Sequence, residues 1–163
     1  MSLTNDLQII FEDESLLVIN KPSGVVANIS RTSPENTVQN FLQDRFFMLD
    51  EGDSEFLQRS GLVHRLDKDT SGVILAAKNE KTFLAIKEQF VKRKVSKVYL
   101  AVVWGEVKEQ LFKVNAPIKR DPRNRMRMAI VSDGRRAVTD GKLIRCWLEE
   151  DQHFSLVEVT PET

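Results

Sequence analysis

The apolar residues of this chain occur in short runs that polar turns interrupt, and this pattern limits the folds open to it. Seven runs have the length and composition of β-strands, whereas two segments repeat their apolar residues at helical spacing. Many strands with few helices favour an α+β fold, a mostly antiparallel mixed sheet with flanking helices. Because 163 residues suffice for one such core, we expect a single domain over residues 1–163. The predicted strands are residues 7–11, 16–20, 73–77, 98–104, 128–131, 143–148 and 154–159.

Two segments carry helical signals. The first follows Pro34, and either Asn36 or Thr37 is its expected N-cap. The second is capped by Asn79 and ends near the basic residues 92–94, where the helix dipole favours positive charge. Residues 50–60 are mostly polar and are predicted to form a loop. The apolar face of the first helix holds Val38, Phe41, Leu42 and Leu49, and one face of the second holds Phe83, Ile86, Lys87 and Phe90.

The composition argues against several classes of protein. No apolar run approaches the roughly 18 residues that a membrane span needs, and the first residues lack the features of a signal peptide. The single cysteine, Cys146, excludes an internal disulfide and is consistent with a cytoplasmic location. His64, Cys146 and His153 are the only imidazole or thiol groups, and none forms a close pair, so we expect no metal site.

The charges of the chain are balanced overall but unevenly distributed. Residues 1–60 carry four basic and ten acidic side chains, so that the positive charge lies in the remainder. The density of positive charge is highest in residues 119–136, which contain seven basic side chains and only two acidic ones, Asp121 and Asp133. Such a stripe favours a polyanion partner, because each phosphate contact releases counterions, although a solvated charged face has the same pattern. The basic residues are Lys119, Arg120, Arg123, Arg125, Arg127, Arg135 and Arg136.

The segment His64–Gly72, with the sequence HRLDKDTSG, concentrates the reactive groups of the chain. It lies between a polar stretch and a predicted strand, a place where folds commonly present functional side chains. In an extended segment Arg65 and Asp67 point to the same face, so the guanidinium can hold the carboxylate ionised. Such an aspartate can be a nucleophile, a general base or a metal ligand. A purely structural Arg–Asp pair in a turn remains the alternative.

This segment resembles the active-site motif of the RluA-type pseudouridine synthases. Three further segments resemble elements of that family in the same order along the chain: Asn20–Val25, Lys97–Gly105, and Ala116–Ile118 followed by Ala137–Thr139. The resemblance implies the pseudouridine synthase catalytic fold. It also implies isomerisation of specific uridines to pseudouridine in structured RNA, either ribosomal RNA or a tRNA stem-loop. No metal or other cofactor is implied.

The resemblance also implies roles for individual residues. Asp67 would attack the target uridine, at the uracil ring or at C1′ of the sugar, and Tyr99 would stack near the uracil and take part in the final proton transfer. Arg65 would fill the space that the extruded nucleotide leaves. His64 is an expected RNA-binding residue, and a histidine beside such a turn is more often an orienting hydrogen-bond partner than a base. Lys21 is expected either to contact RNA or to be solvated. Within the basic stripe, Arg123 and Arg125 are the expected RNA-binding residues.

The last residues carry one more expectation. In the family, a strand like residues 154–163 continues into a segment whose arginine pairs with the catalytic aspartate. We therefore expect this chain to be an incomplete catalytic domain with little or no activity, since that partner of Asp67 is absent. Missing strands would leave an unpaired sheet edge through which the chain could self-associate. The alternatives are an RNA-binding module without catalysis and a hydrolase that uses Asp67 with His64.

Overall fold

The computed structural model of the protein describes residues 7–47 and 53–163. The chain folds into two compact units, Met1–Lys92 and Arg93–Thr163, which we call the first and the second unit and describe separately. The α+β class with antiparallel sheets is confirmed. The strands are divided between two sheets. Within each sheet, all neighbouring strands pair antiparallel. The single domain over residues 1–163 stays a prediction.

The first unit contains a three-stranded sheet with the order β1-β2-β3. Its strands are β1 (Gln8–Glu12), β2 (Leu16–Lys21) and β3 (Gly72–Ala77). The predicted strands 7–11 and 16–20 are confirmed and form a hairpin. Its turn is held by Asp13, whose Oδ1 accepts hydrogen bonds from the Ser15 and Leu16 amides at 2.7 Å each. Every second side chain of β2 and β3 enters the core, which is the two-residue period of a sheet with one buried face.

Three helices complete the described part of the first unit: α1 (Val38–Leu42), α2 (Glu55–Gln58) and α3 (Glu80–Val91). A π-helical segment, Gln43–Phe47, continues α1. Thr37 is the cap of α1 and Asn79 the cap of α3, each accepting a backbone hydrogen bond, as predicted. The predicted Leu49 contact lies outside the described residues.

The loop predicted over residues 50–60 is partly wrong, since α2 lies within it. Ser54 caps this short helix by accepting a hydrogen bond from the Leu57 amide, and Phe56 is buried. A single buried ring among polar residues gives too little periodicity to predict a helix, yet it fixes this turn once the core has formed. Residues 50–52 lie outside the described part. No helix formed by residues 7–47 and 53–163 is long and apolar enough to span a bilayer.

The second unit is a five-stranded sheet with the order β4-β8-β7-β5-β6. The strands are β4 (Tyr99–Trp104), β5 (Leu111–Arg120), β6 (Met128–Ile130), β7 (Arg135–Glu149) and β8 (Gln152–Pro161). Four correspond to predicted runs, and β5 was missed because it contains asparagine and proline, which are uncommon inside strands. In the described part of the chain β4 has a strand partner on one side only. Self-association through that edge stays a prediction.

Candidate active site

The segment before the HRLDKDTSG motif runs beside the outer edge of β3. The Ala77 amide donates to the Gly61 carbonyl at 2.9 Å, and the Val63 amide donates to the Leu75 carbonyl at 3.4 Å. Leu62 lies between these bonds, in an antiparallel bridge with Ala76. Residues 61–63 therefore act as a short additional strand that delivers the motif to the edge of the sheet.

Gly61 is required where this short strand begins. Its φ is +75°, and a Cβ added there would lie 2.1 Å from the carbonyl oxygen of Ala77. That oxygen belongs to the backbone of β3 and has no freedom to move aside. Only glycine allows the two backbones to approach so closely.

His64 is held inside the protein. Its Nε2 accepts a hydrogen bond from the Leu75 amide at 3.0 Å, and its ring stacks on Phe90 with centroids 4.8 Å apart. Burial lowers the pKa of His64 to about 4, helped by the charge of Arg59 and opposed by a hydrogen bond with the Arg65 backbone. The imidazole is therefore neutral at physiological pH. The structure gives this ring an internal partner, which agrees with an orienting role, and the contact of His64 with RNA stays a prediction.

This pKa predicts a loss of stability in mild acid. Because the folded-state pKa lies below the usual value near 6.5, the unfolded chain binds a proton first as the pH falls. The free energy of unfolding should therefore fall between about pH 6.5 and pH 4, by at most about 1.4 kcal/mol per pH unit and less because the ring is partly exposed. Urea unfolding of wild type and His64→Gln across this range measures the effect. An equal slope in both proteins would contradict the assignment to His64.

The motif then forms a tight turn at Asp67. The Thr70 amide donates to the Asp67 carbonyl at 3.2 Å, which closes the turn through the backbone alone. Leu66 is buried, whereas Arg65 and Asp67 are exposed on either side of it. Gly72, with φ +134°, leads the chain from the turn back into β3, a conformation that other residues rarely adopt. The side chain of Asp67 is thus presented to solvent on an anchored backbone.

The expected ion pair between Arg65 and Asp67 is not formed. Across residues 7–47 and 53–163, neither side chain has an ion-pair or hydrogen-bond partner. Both groups are exposed, and the attraction between exposed charges in water is too weak to hold two side chains in one geometry. Both side chains are exposed on either side of the buried Leu66, but the pairing is not formed.

Lys21 has neither of the roles expected from the sequence, because its side chain is 0% exposed. Its ammonium group donates to the carbonyl oxygens of Pro22 at 3.0 Å, Val25 at 2.7 Å and Lys68 at 3.0 Å. Burial lowers the pKa of Lys21, and attraction to Asp69 and Asp67 opposes this effect. All three ammonium hydrogens are used, and one of these bonds reaches the turn that presents Asp67.

Two further contacts, which the sequence did not reveal, join the loop after β2 to the same turn. The Gly24 amide donates to the Lys68 carbonyl at 2.9 Å, and the Ser23 hydroxyl donates to the Asp69 carbonyl at 2.9 Å. Together with Lys21, these groups bind both central carbonyls of the Asp67 turn. The family-like segments Asn20–Val25 and His64–Gly72 are therefore in direct contact.

The remaining predicted site residues belong to the second unit. Tyr99 is the first residue of β4, half-buried and opposite Val159. Arg123 and Arg125 lie exposed in the loop between β5 and β6. Within the parts that the structure describes, no group of three or more His, Cys, Asp or Glu side chains is arranged to hold a metal ion.

The loop between β5 and β6 is ordered by its own polar groups. The Asp121 carboxylate accepts from the Arg123 amide at 2.8 Å, and the Asn124 side chain accepts from the Met126 amide at 3.1 Å. The Arg120 guanidinium donates to the Arg125 carbonyl at 3.2 Å. The Asp121 carboxylate thus binds backbone, and among the described residues neither Arg123 nor Arg125 forms an ion pair.

Comparison with known proteins identifies the family. Residues 15–163 match the family model described as RNA pseudouridylate synthase. The chain is 35% identical over 158 residues to ribosomal large subunit pseudouridine synthase D of Borreliella burgdorferi, covering 96% of this chain and 47% of that protein. A protein of the same name from Zymomonas mobilis is 41% identical over 159 residues, covering 96% of this chain and 48% of the relative. The chain spans about half the length of these relatives.

Solved structures agree on the fold. The human RNA pseudouridylate synthase domain-containing protein 1 superimposes with a TM-score of 0.74 at 24% identity, covering 98% of this chain and 61% of that one. The resemblance inferred from the HRLDKDTSG motif and its companion segments is confirmed by these matches. The chain belongs to the RNA pseudouridylate synthase family.

Proposed function

We propose that the whole protein isomerises specific uridines of structured RNA to pseudouridine, with Asp67 as the catalytic carboxylate; the little or no activity expected of the 163-residue chain alone stays a prediction. The main support is the Asp67 turn itself: an exposed carboxylate stands on a backbone that Lys21, Ser23 and Gly24 hold through carbonyl oxygens. Holding the backbone leaves the carboxylate free for chemistry while restricting its position, and positioning alone can lower a reaction barrier substantially.

The proposed isomerisation needs no oxidant, reductant or cofactor, because every bond and proton is accounted for by the uridine and Asp67. The Asp67 carboxylate attacks the uracil ring or C1′ of the ribose, and the bond between N1 and C1′ breaks. The uracil rotates, and a bond between C5 and C1′ replaces the broken one as the carboxylate is released. The proton on C5 is lost and N1 gains a proton, so reactant and product are isomers.

Two other side chains have proposed parts in this reaction. Tyr99 would stack against the uracil and take part in the proton transfer from C5, a role that its phenol permits. Arg65 would occupy the stack after the nucleotide has left it, since a guanidinium is flat, charged and able to stack on bases. Its exposure beside the buried Leu66 is compatible with reaching outward.

The substrate is proposed to be a stem-loop of ribosomal RNA or tRNA, because loops present bases that can be extruded. Relatives named for the large ribosomal subunit favour ribosomal RNA. The cytoplasmic location stays a prediction. The main alternative, a non-catalytic RNA-binding module, is favoured only by the exposed arginines between β5 and β6.

Pseudouridine mapping in total RNA tests the proposal. RNA from cells with the gene, without it, and with it restored is compared site by site. We expect at least one pseudouridine to disappear on deletion and to return on restoration. An unchanged map together with RNA binding by the purified protein would favour the binding module, and strand cleavage would favour a hydrolase.

Removing the charges of Arg123 and Arg125 should weaken RNA binding and its dependence on salt. Each lost phosphate contact lowers the slope of log K against log salt by about 0.7–0.9, so the double Gln variant should lose roughly 1.5. Affinity for a synthetic RNA stem-loop should fall roughly tenfold near 0.1 M salt. Fluorescence anisotropy across a salt series gives both quantities.

A matched control removes the same charge from the exposed lysines Lys81 and Lys108, which lie outside the loop. The Lys81→Gln, Lys108→Gln variant should keep the wild-type slope. If both double variants change affinity and slope equally, the arginines act only through net charge, and the loop is a solvated charged face.

A further inference from the structure

The outer edge of β3 contains an irregular hydrogen bond at the start of the motif. Where Val63 and Leu75 face each other, a regular antiparallel ladder has two bonds, one from each amide to the opposite carbonyl. The Val63 amide makes its bond to the Leu75 carbonyl. The Leu75 amide instead donates to Nε2 of His64 at 3.0 Å.

Because the Leu75 amide donates to His64 and not to a backbone carbonyl, the chain can leave the sheet while this amide stays hydrogen-bonded. If the amide of this half-buried strand residue had no acceptor, the free energy of unfolding of the protein would be lower. The imidazole supplies the acceptor from the following residue, so the backbone turns away from β3 one residue before Arg65. Stacking on Phe90 of α3 fixes the plane of the ring and thus the direction of this departure.

We propose that His64 is a positioning residue, whose imidazole replaces a backbone carbonyl at the edge of β3 and directs the chain outward to the Asp67 turn. The effect on activity rests on the proposed function of Asp67, whereas the contact itself does not. His64 fixes the point where the chain leaves β3, and Lys21 fixes the tip of the turn through the Lys68 carbonyl. Both ends of the segment that carries Asp67 are then anchored.

The same geometry argues against an acid–base role for His64. The lone pair of Nε2 is engaged by the Leu75 amide, and in the neutral ring the other nitrogen, Nδ1, then carries the proton. A general base needs a free nitrogen within reach of the substrate proton. The hydrolase that would combine Asp67 with His64 is disfavoured for this reason.

Two variants separate the acceptor from the shape of the ring. His64→Gln keeps an acceptor near the position of Nε2, whereas His64→Leu keeps apolar packing on Phe90 and removes the acceptor. Hydrogen exchange of the Leu75 amide, measured by NMR, should be roughly tenfold faster in His64→Leu and close to wild type in His64→Gln. Pseudouridine formation by the whole protein should follow the same order, with kcat lowered roughly 10- to 100-fold in His64→Leu and KM little changed.

Several results would overturn the inference. Equal loss of activity in both variants would mean that imidazole chemistry or an RNA contact matters, and unchanged Leu75 exchange in His64→Leu would mean that the acceptor is dispensable. Should His64→Leu fail to fold, the nitrogen shifts of wild-type His64 decide. The inference requires an unprotonated Nε2 and a proton on Nδ1, and the opposite tautomer overturns it. The hydrogen exchange of the Leu75 amide and the tautomer of His64 test the contact itself, so they decide the inference even if the protein makes no pseudouridine.

Discussion

The Asp67→Asn variant is expected to form pseudouridine at least roughly a thousandfold more slowly than the wild type, since an amide has almost no nucleophilic character. The turn should survive the change, because its closing bond uses the Asp67 carbonyl and the anchoring bonds use the Lys68 and Asp69 carbonyls. Pseudouridine mapping in cells that carry the substitution in the chromosomal gene measures the effect. Immunoblotting checks that the protein accumulates normally.

Asp69→Asn provides a matched control in the same turn. Asp69 is exposed like Asp67, and it attracts the Lys21 ammonium more strongly than Asp67 does. Removing its charge therefore disturbs the electrostatics of the buried lysine at least as much. We expect activity within roughly threefold of wild type for this variant, which is the scale of surface changes that leave the reacting atoms in place. Equal loss in both variants would indicate that turn charge, not nucleophilicity, is what Asp67 contributes.

Structure that depends on neighbouring residues was predictable from the sequence. The β1–β2 hairpin follows from two apolar runs around the Asp13 turn, and α3 follows from the Asn79 cap with apolar residues at helical spacing. The exposure of Arg65 and Asp67 around the buried Leu66 likewise follows from the two-residue alternation of an extended segment. In each case the deciding interactions span a few residues, so the local pattern contains them.

Contacts between distant segments were not predictable in the same way. In the order β4-β8-β7-β5-β6, β4 pairs with β8 although three strands lie between them along the chain, and no turn signal fixes this pairing. The pairing of Ala116 with Ala137 brings two family-like segments side by side, yet each is unremarkable alone. The bond from Leu75 to His64 depends on where the motif meets β3, which is settled only when the sheet has formed.

Lys21 is an intermediate case, because its burial had a sequence signal that its residue type obscured. Leu17, Ile19 and Lys21 alternate along β2, and the first two are fully buried, so the third lies on the same face. Lysine is rarely buried, however, so a solvated side chain is the natural prediction when the sequence does not show which groups could accept its hydrogen bonds. The acceptors come from the chain reversal at Pro22–Val25 and from Lys68, which is remote in sequence.

In the Asp67 turn, the groups that hold the backbone are different from the carboxylate that the turn presents. The groups that hold the turn bind its carbonyl oxygens, so the hydrogen bonds that anchor the turn do not use the side chains of Asp67, Lys68 or Asp69. A reactive carboxylate can therefore be exposed there without breaking these bonds, and within residues 7–47 and 53–163 no ion pair or hydrogen bond holds the carboxylate itself. The stability of the turn then depends on the donors, above all on the buried ammonium group.

Lys21→Met should accordingly lower the free energy of unfolding of the protein by about 2–4 kcal/mol. The variant removes the donor of three carbonyl oxygens, of which that of Val25 is the most deeply placed. An acceptor left unpaired in the interior costs about 1–3 kcal/mol. The cost of burying the charge, visible as the lowered pKa of Lys21, is recovered in the variant and offsets part of this loss. Three lost charge-assisted bonds outweigh one recovered desolvation cost, so we expect net destabilisation.

Urea unfolding followed by circular dichroism measures the change, and Lys78→Met is the control. Lys78 also donates to a carbonyl, that of Asp13 at 2.8 Å, and pairs with Glu12, but its side chain is 24% exposed. Water can replace both contacts, so this variant should lose less than about 1 kcal/mol. If Lys21→Met is as stable as Lys78→Met, or more stable than wild type, desolvation of the ammonium outweighs its hydrogen bonds. The Asp67 turn would then be held mainly by Ser23 and Gly24.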